Sequence, residues 1–309
     1  MAVRKEAEDI ISLDLAPAQG RPLAPFTAGA HIDVRTPGGA VRQYSLCNGP
    51  DERAAYRIAV KREPDSRGGS ASLHERVRPG DQLMVSEPRN HFPLAAGARV
   101  HLLFAAGIGV TPIVSMARHL LAGGGEFRLH YFTRSPEHTA FKELLSSEAF
   151  GGRVSFHTGL DAAAVNACVR QLLQRRAPDA HLYLCGPRAF MDAVRAAAAH
   201  WPAHAVHVEY FAGAEVGTEN DQGFELRLAR SGKTYLVPPG RTIIEVLAEN
   251  GVQVDVSCEQ GVCGTCITTV LEGVPDHRDL HLTDDERRAG DKIMLCVSRA
   301  KSPLLTIDL

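Results

Sequence analysis

Four of the seven cysteines gather toward the C-terminal end of the 309-residue chain, as Cys258-x4-Cys263-x2-Cys266 followed later by Cys296. That spacing is the one used in plant-type [2Fe–2S] ligation and differs from the paired Cys-x2-Cys of most structural zinc sites. Four thiolates must converge on two irons, and a tight loop that supplies three of them has to fold its backbone around inorganic sulfide. Gly261 and Gly264 lie inside the loop, where a Cβ would keep backbone N–H groups from pointing at sulfur. A zinc knob is the competing reading, and the unequal spacing, the internal glycines and the long gap to Cys296 all weigh against it. The chemistry to expect is one-electron transfer. Cys47, Cys168 and Cys185 stand alone. An odd total with one cluster fits a disulfide framework poorly and a metal site in a reducing compartment well.

A second group of residues suits nucleotides. The apolar run Val100–Ala105 leads into Ala106-Gly107-Ile108-Gly109-Val110-Thr111-Pro112. Thr111 is a natural N-cap and Pro112 suits the first helical position, so unpaired helix N–H groups would face an anionic cofactor. Taken alone the signal is weak, because Pro112 stands where the dinucleotide fingerprint has its third glycine. Leu184-Cys185-Gly186-Pro187 repeats the strand-to-helix pattern, and two such ends on one parallel sheet make a nucleotide crevice. By itself Cys185 reads as a small core residue. Nearer the N-terminus, Arg42-Gln43-Tyr44-Ser45 places a cation, an aromatic face and a hydroxyl on one strand. Ser66-Arg67-Gly68-Gly69-Ser70, before a helical stretch at Ala71–Val77, suits a phosphate cradle. For each motif a plain packing or loop role is the bland alternative, and it is their order along the chain that informs.

The elements that must carry these residues divide the chain into three expected domains. Residues 1–97 hold short alternating runs (His31–Arg35, Tyr56–Lys61, Gln82–Ser86) between turn signals, as in an antiparallel β-barrel. Residues 98–212 alternate buried strands with helices at Pro112–Leu121, Ala140–Ser147, Ala162–Arg176 and Pro187–Ala199, which predicts a doubly wound parallel α/β sheet. Residues 213–223 read as a linker, and residues 224–309 as an α+β domain around the cysteine loop. In that last domain, capping boxes at Thr242/Glu245 and Thr283/Glu286 start helices that end near Gly251 and Gly290. The acidic run Asp284–Glu286 is thereby explained as helix capping, with an acidic docking face as the alternative. A net charge of −2 gives no footprint for nucleic acid and no polybasic stripe for a membrane. The absence of a long apolar run and of a secretion-type start leads to the expectation of a cytoplasmic protein.

Taken together and in order, Arg42–Ser45, Ser66–Ser70, Ala106–Pro112, Cys185–Pro187 and the cysteine set resemble the phthalate dioxygenase reductase family, particularly its vanillate O-demethylase reductase branch. The resemblance spans nearly the whole chain. It implies an FMN-binding barrel (1–97), an NAD domain (98–212) and a β-grasp-like plant-type ferredoxin domain (224–309), feeding a separate Rieske non-haem iron oxygenase that docks near the cluster loop. By position, Arg42, Tyr44 and Ser45 would hold the isoalloxazine and ribityl region, with Ala59, Val60 and Lys61 alongside and Gly68, Gly69 and Ser70 on the phosphate. Thr111 would sit near the flavin. Gly107, Ile108, Gly109 and Pro112 would line the nicotinamide site, with Thr133 and Arg134 toward the adenosine half and Cys185, Gly186 and Pro187 beside the ring. Ser45, Thr111 and Cys185 are the candidate catalytic residues, Ser45 tuning flavin N5 and Cys185 forming a small soft wall. Phe211 or its neighbour Tyr210 would cover the flavin, and Cys258, Cys263, Cys266 and Cys296 would hold the cluster. NADH is the expected donor, with NADPH open because Arg134 and Ser135 could meet a 2′-phosphate. Two other functions stay open on sequence alone: a reductase serving a quinone or a haem protein, and a zinc-stapled nucleotide-binding module.

Overall fold

The computed structural model describes residues 1–18, 22–64, 68–211, 221–256 and 258–309. Ser66 and Arg67 of the expected phosphate cradle and most of the expected linker 213–223 lie outside the described residues. The chain forms two compact units, Met1–Phe211 and Ala212–Leu309.

The first unit begins with β1 (Ala2–Ala7), β2 (Ile10–Leu15), β3 (His31–Arg35), β4 (Val41–Ser45) and β5 (Tyr56–Lys61), followed by α1 (Gly69–Arg76). These strands do not close into a barrel among the described residues: they make an antiparallel sheet β1-β2-β5 and a separate hairpin β3-β4. A single bridge, Leu46 to Ile58, links the two. The expected strand Gln82–Ser86 is reduced to isolated bridges, Val34 to Val85 and His31 to Arg89. Pro88 accounts for the break. Ser86 N–H reaches Asp33 O and Arg89 N–H reaches His31 O, so three steps on one chain oppose two on the other. The proline between them has no N–H to keep the ladder regular.

The second half of this unit is β6 (Val100–Ala106), α2 (Val110–Ala122), β7 (Glu126–Thr133), α3 (Lys142–Leu145), β8 (Val154–Thr158), α4 (Ala162–Leu173), β9 (Ala180–Cys185), α5 (Arg188–Ala197) and β10 (Val206–Glu209). All five strands are parallel, in the order β10-β9-β6-β7-β8. The central strands β6 and β9 are near-continuous apolar runs because both of their faces are covered. Buried residues of α2 share a core with Leu103 and Tyr131, while those of α5 pack with Phe104 and Leu182 on the other. Two expectations about helices are corrected. Phe141 adopts left-handed backbone (φ 57°), so the helix expected from Ala140 to Ser147 shrinks to α3. Thr111 is not an N-cap and Pro112 is not the first helical residue. A 3-10 turn at Gly107–Gly109 starts the coil early, Gly109 takes the cap position, and α2 begins at Val110.

One buried core runs through both halves, with Cys47, Ala59 and Phe92 sharing it with Val110, Ile113, Met116 and Tyr131. A polar tie reinforces it: Ser115 Oγ on α2 donates to Asn48 O at 2.9 Å. Asn48 is itself buried, its amide donating to Glu52 O and Ala55 O at 3.0 Å each and its carbonyl accepting from Arg57 N at 2.9 Å.

The second unit contains β11 (Phe224–Leu228), β12 (Thr234–Val237), α6 (Ile243–Glu249), β13 (Ile267–Glu272), β14 (Pro275–Asp276), α7 (Asp284–Ala289), β15 (Lys292–Met294), β16 (Arg299–Ala300) and β17 (Leu304–Ile307). Its five-stranded sheet has the order β12-β11-β17-β13-β15, with β11 and β17 parallel. Ile243, Val246 and Leu247 of α6 bury against Leu226, Ile293 and Leu305. Both expected capping boxes are present, Thr242 with Glu245 and Thr283 with Glu286. No helix among the described residues is long and apolar enough to cross a membrane.

Replacing Asn48 by Ala strips partners from the backbone carbonyls of Glu52 and Ala55 and from the Arg57 N–H. The expected loss is about 2 kcal/mol or more, read as a lower midpoint in urea denaturation; an unchanged midpoint would show that the Asn48 hub does not hold the strands to α2.

Candidate functional site

In the first unit the chain leaves β6 toward β7 on one side and leaves β9 toward β10 on the other, so β6 and β9 flank the point where the winding reverses. A parallel sheet opens a crevice there. Its walls are the two turns singled out in the sequence, and they are pressed together. A Cβ on Gly109 would lie 2.4 Å from Cys185 O and 2.6 Å from Gly186 N, and one on Gly186 would lie 2.9 Å from Ala106 Cβ. Gly107 has φ +54°, and its carbonyl accepts from Tyr131 OH at 3.1 Å. Ile108 is half-buried against the core. Thr111 is buried, its hydroxyl donating to Ile108 O at 3.1 Å, and Pro112 is buried within α2. Pro187 caps α5 from an exposed position. At the end of neighbouring β7, Thr133 is buried with its hydroxyl 2.9 Å from that of Thr139, and exposed Arg134 ion-pairs with Asp9 at 3.8 Å.

The hairpin β3-β4 brings Ser45 to the same crevice. Ser45 Oγ donates to Glu209 Oε2 at 3.3 Å across a sequence gap of 164 residues. Glu209 is directly opposite Cys185 in the parallel register of β10 and β9. Three side chains from three strand ends therefore converge. Desolvation pushes the Glu209 carboxyl up to about 8, with the Ser45 hydrogen bond opposing only in part. Burial also raises the Cys185 thiol, with Glu209 adding to it. Both shifts favour the uncharged forms and so disfavour negative charge at the crevice. The sequence reading passed over Glu209. Its position as the last residue of a parallel strand was the available signal, since such ends line the crevice.

Of the remaining expected residues, Arg42 lies against the α1 turn: a Cβ on Gly69 would meet its side chain at 3.1 Å. Among the described residues the Arg42 guanidinium forms no ion pair, and its Nη1 donates to Val41 O at 2.7 Å. Gly68 caps α1 with φ +85°, and Ser70 Oγ accepts from Glu63 N at 3.1 Å. A cation beside a left-handed glycine at a helix start suits a phosphate. Tyr44 is mostly buried, its phenol pushed up to about 12. Ala59 and Val60 are buried in β5 and Lys61 at its end pairs with Glu63. Phe211 and Tyr210 part company. Phe211 packs on the core that holds Ile108 and Cys185, whereas Tyr210 packs on the opposite core and accepts from Arg195 Nη1 at 3.2 Å.

In the second unit Cys258, Cys263, Cys266 and Cys296 are all buried and all free thiols. Adjacent strands deliver two of them: Cys266 precedes β13, Cys296 follows β15, and Leu295 N–H bonds Cys266 O at 3.3 Å. The thiols neighbour one another in two pairs, Cys258 with Cys263 and Cys266 with Cys296. One tetrahedral ion would draw all four sulfurs to about 3.8 Å from one another, given Zn–S near 2.3 Å. Among the described residues no three of these sulfurs lie within 4.8 Å of one another. Two pairs side by side fit two irons better than one ion. The backbone agrees: Gln260 N–H reaches Cys258 Sγ at 3.3 Å and Thr265 N–H reaches Cys263 Sγ at 3.5 Å. Gly261 and Gly264 both have left-handed backbone, and a Cβ on either would strike a neighbour at 2.6–2.7 Å.

Comparison with known proteins agrees with this geometry. Residues 226–301 match the 2Fe-2S iron-sulfur cluster binding domain family. The chain is 47% identical to a vanillate O-demethylase oxidoreductase of Pseudomonas putida, over 98% of this chain and 96% of that protein. It is 45% identical to a phthalate dioxygenase reductase of Burkholderia cepacia, over 99% and 94%. A solved phthalate dioxygenase reductase, described as modular for electron transfer from pyridine nucleotides to [2Fe-2S], superposes with TM-score 0.81 at 45% identity, covering 100% of this chain and 96% of its own.

Two outcomes are expected of the crevice. Gly109→Ala must push β6 and β9 apart at backbone atoms, which costs about 1–3 kcal/mol and should abolish nucleotide binding, checked by denaturation and by NADH titration. For Glu209 the folded carboxyl keeps its proton up to about 8, whereas its ordinary value is 4.5. The contribution to stability is therefore full below the lower value and fades as pH rises to the upper one. In ligand-free protein Glu209→Gln should lack that decline, gaining on the wild type between about pH 5 and about pH 8; parallel stability curves would show that the carboxyl is ionised.

Proposed function

This chain belongs to the phthalate dioxygenase reductase family, and from that premise we propose that it is the reductase component of a Rieske non-haem iron oxygenase system, moving electrons from NADH through FMN and a [2Fe–2S] cluster. The observation that carries this reading is a site for paired thiolates in the same chain as a crevice where Ser45, Cys185 and Glu209 converge. Bound FMN supplies the conversion of a hydride's electron pair into single electrons, and the cluster relays them at a potential near about −400 mV.

The protein's own work is to bind, orient and desolvate. Arg42, which has no ion-pair partner among the described residues, and the Gly68–Gly69–Ser70 turn hold the phosphate, with Tyr44 and the β5 segment Ala59–Val60–Lys61 beside the ring system. Ser45 tunes flavin N5 by a hydrogen bond, while Glu209 keeps a proton on its carboxyl next to Ser45 and leaves the crevice without negative charge. Cys185 is small and uncharged, so it admits the nicotinamide, which Gly107, Ile108, Gly109, Pro112, Gly186 and Pro187 line. Thr111 fixes the Ile108 turn close by. Such positioning, rather than acid–base chemistry, is what a hydride transfer needs. Phe211 rather than Tyr210 covers the flavin, a choice supported by its packing with Ile108. Thr133 and Arg134 face the adenosine half. Glu8, Asp9 and His138 cluster beside Arg134, and two carboxylates there would repel a 2′-phosphate, which favours NADH over NADPH. The β-grasp-like sheet of the second unit presents the cluster loop, where the oxygenase docks.

Freshly purified protein should show flavin and iron–sulfur absorbance that bleach under anaerobic NADH, and acid should release FMN. Cys258→Ser should lose the iron–sulfur bands and electron delivery to a one-electron protein acceptor while keeping NADH-driven flavin bleaching. If wild-type protein reconstituted with iron and sulfide shows no cluster bands, the electron-chain reading is wrong.

A further inference from the structure

Beyond the four ligands, the segment His277–Leu282 runs against the cysteine loop and grips its carbonyls. Leu280 N–H donates to Gly261 O at 2.9 Å. The His281 ring donates from Nδ1 to Val262 O at 3.2 Å, and the same ring lies over Gly264, where a Cβ would come within 2.7 Å of it. Asp279, whose side chain is 0% exposed, fixes this segment. Its carboxylate accepts from His281 N at 3.1 Å, from Leu282 N at 2.8 Å and from Ser298 Oγ at 3.4 Å, two residues beyond Cys296. Arg287 Nη2 stands 3.7 Å from the same carboxylate.

The peptide bonds described are all trans, and in a planar trans peptide the C=O and the following N–H point in opposite directions. A carbonyl drawn toward Leu280 or His281 therefore turns the next N–H the other way. The first case shows the orientation: Gly261 O is held by Leu280 N–H at 2.9 Å, so the Val262 N–H points away from Leu280. By the same geometry, Val262 O held by His281 turns the Cys263 N–H toward the side of the loop where the sulfurs lie. Donors aimed at cluster sulfurs stabilise the reduced, more negative state.

We propose that His281 is a positioning residue of the electron-transfer site: its Nδ1–H anchors the Val262–Cys263 peptide and so helps set the reduction potential of the cluster. The proposal rests on the cluster reading above. His281→Phe keeps a ring over Gly264 and removes the donor, while His281→Asn restores an N–H near the Nδ1 position without the ring. Each is compared with wild type in the full-length protein by iron content, by the EPR spectrum of the reduced cluster and by redox titration against dyes. His281→Phe should shift the oxidised-to-reduced ratio at a fixed potential about tenfold toward oxidised, equivalent to 59 mV for a one-electron couple, with altered EPR g-values. His281→Asn should return toward wild type, and no charge difference separates the two variants. A wild-type potential in His281→Phe, or equal shifts in both variants, would overturn the proposal. Should His281→Phe take up no iron, His281→Asn decides alone, a wild-type potential supporting the proposal and a shifted one refuting it. Wild-type protein without iron would instead overturn the cluster reading and leave the hydride-handling half of the molecule untouched.

Discussion

Everything in the first unit turns on how closely two parallel strands end beside each other. Gly109 and Cys185 have backbone atoms so near that no side chain fits between them, and the opposed winding of the chain on either side makes this the place where the sheet opens. The crevice is narrow because the turns touch, and Ser45 and Cys185 are buried beside it. Desolvation there raises the Glu209 carboxyl, and Ser45, 164 residues earlier in the chain, is its hydrogen-bond partner. Proximity of backbone comes first, then loss of water, and the chemistry of the side chains follows.

The cysteine site obeys a different constraint. Its four thiols need two irons' worth of space, so they must be close in pairs and apart as a set. Hydrogen-bonded neighbours β13 and β15 enforce one pair, and a loop with left-handed glycines enforces the other. Two of the loop's carbonyls, Gly261 O and Val262 O, take their donors from outside it. Leu280 and His281 supply them.

Features that depend on spacing within a short stretch were readable in the sequence. The cysteine pattern, both capping boxes and the two Gly-containing strand ends are local, and the structure contains all of them. Features that depend on competition between neighbours were not. Thr111 has the right side chain for an N-cap, but the 3-10 turn before it had already begun the helix, and its hydroxyl bonds Ile108 O instead. Gln82–Ser86 alternates like a strand, yet Pro88 spoils the ladder it would join, and the expected closed barrel goes with it. Glu209 escaped notice because what makes it unusual is burial, and its partner Ser45 comes from a distant strand that no local pattern links to it.

The core shared by both halves of the first unit has a consequence for how such a chain can be cut and rejoined. Cys47, Ala59 and Phe92 lie in the same apolar mass as Ile113, Met116 and Tyr131, and Asn48 is tied to α2 through Ser115. A break near residue 97 would split that mass and leave raw apolar surface on two fragments. A break after Phe211 falls between the two compact units, and the buried apolar residues of the second form a cluster of their own. For recombination, whether by evolution or at the bench, the interchangeable cassette is therefore the cluster-bearing unit, and the flavin and nucleotide halves travel as a single piece.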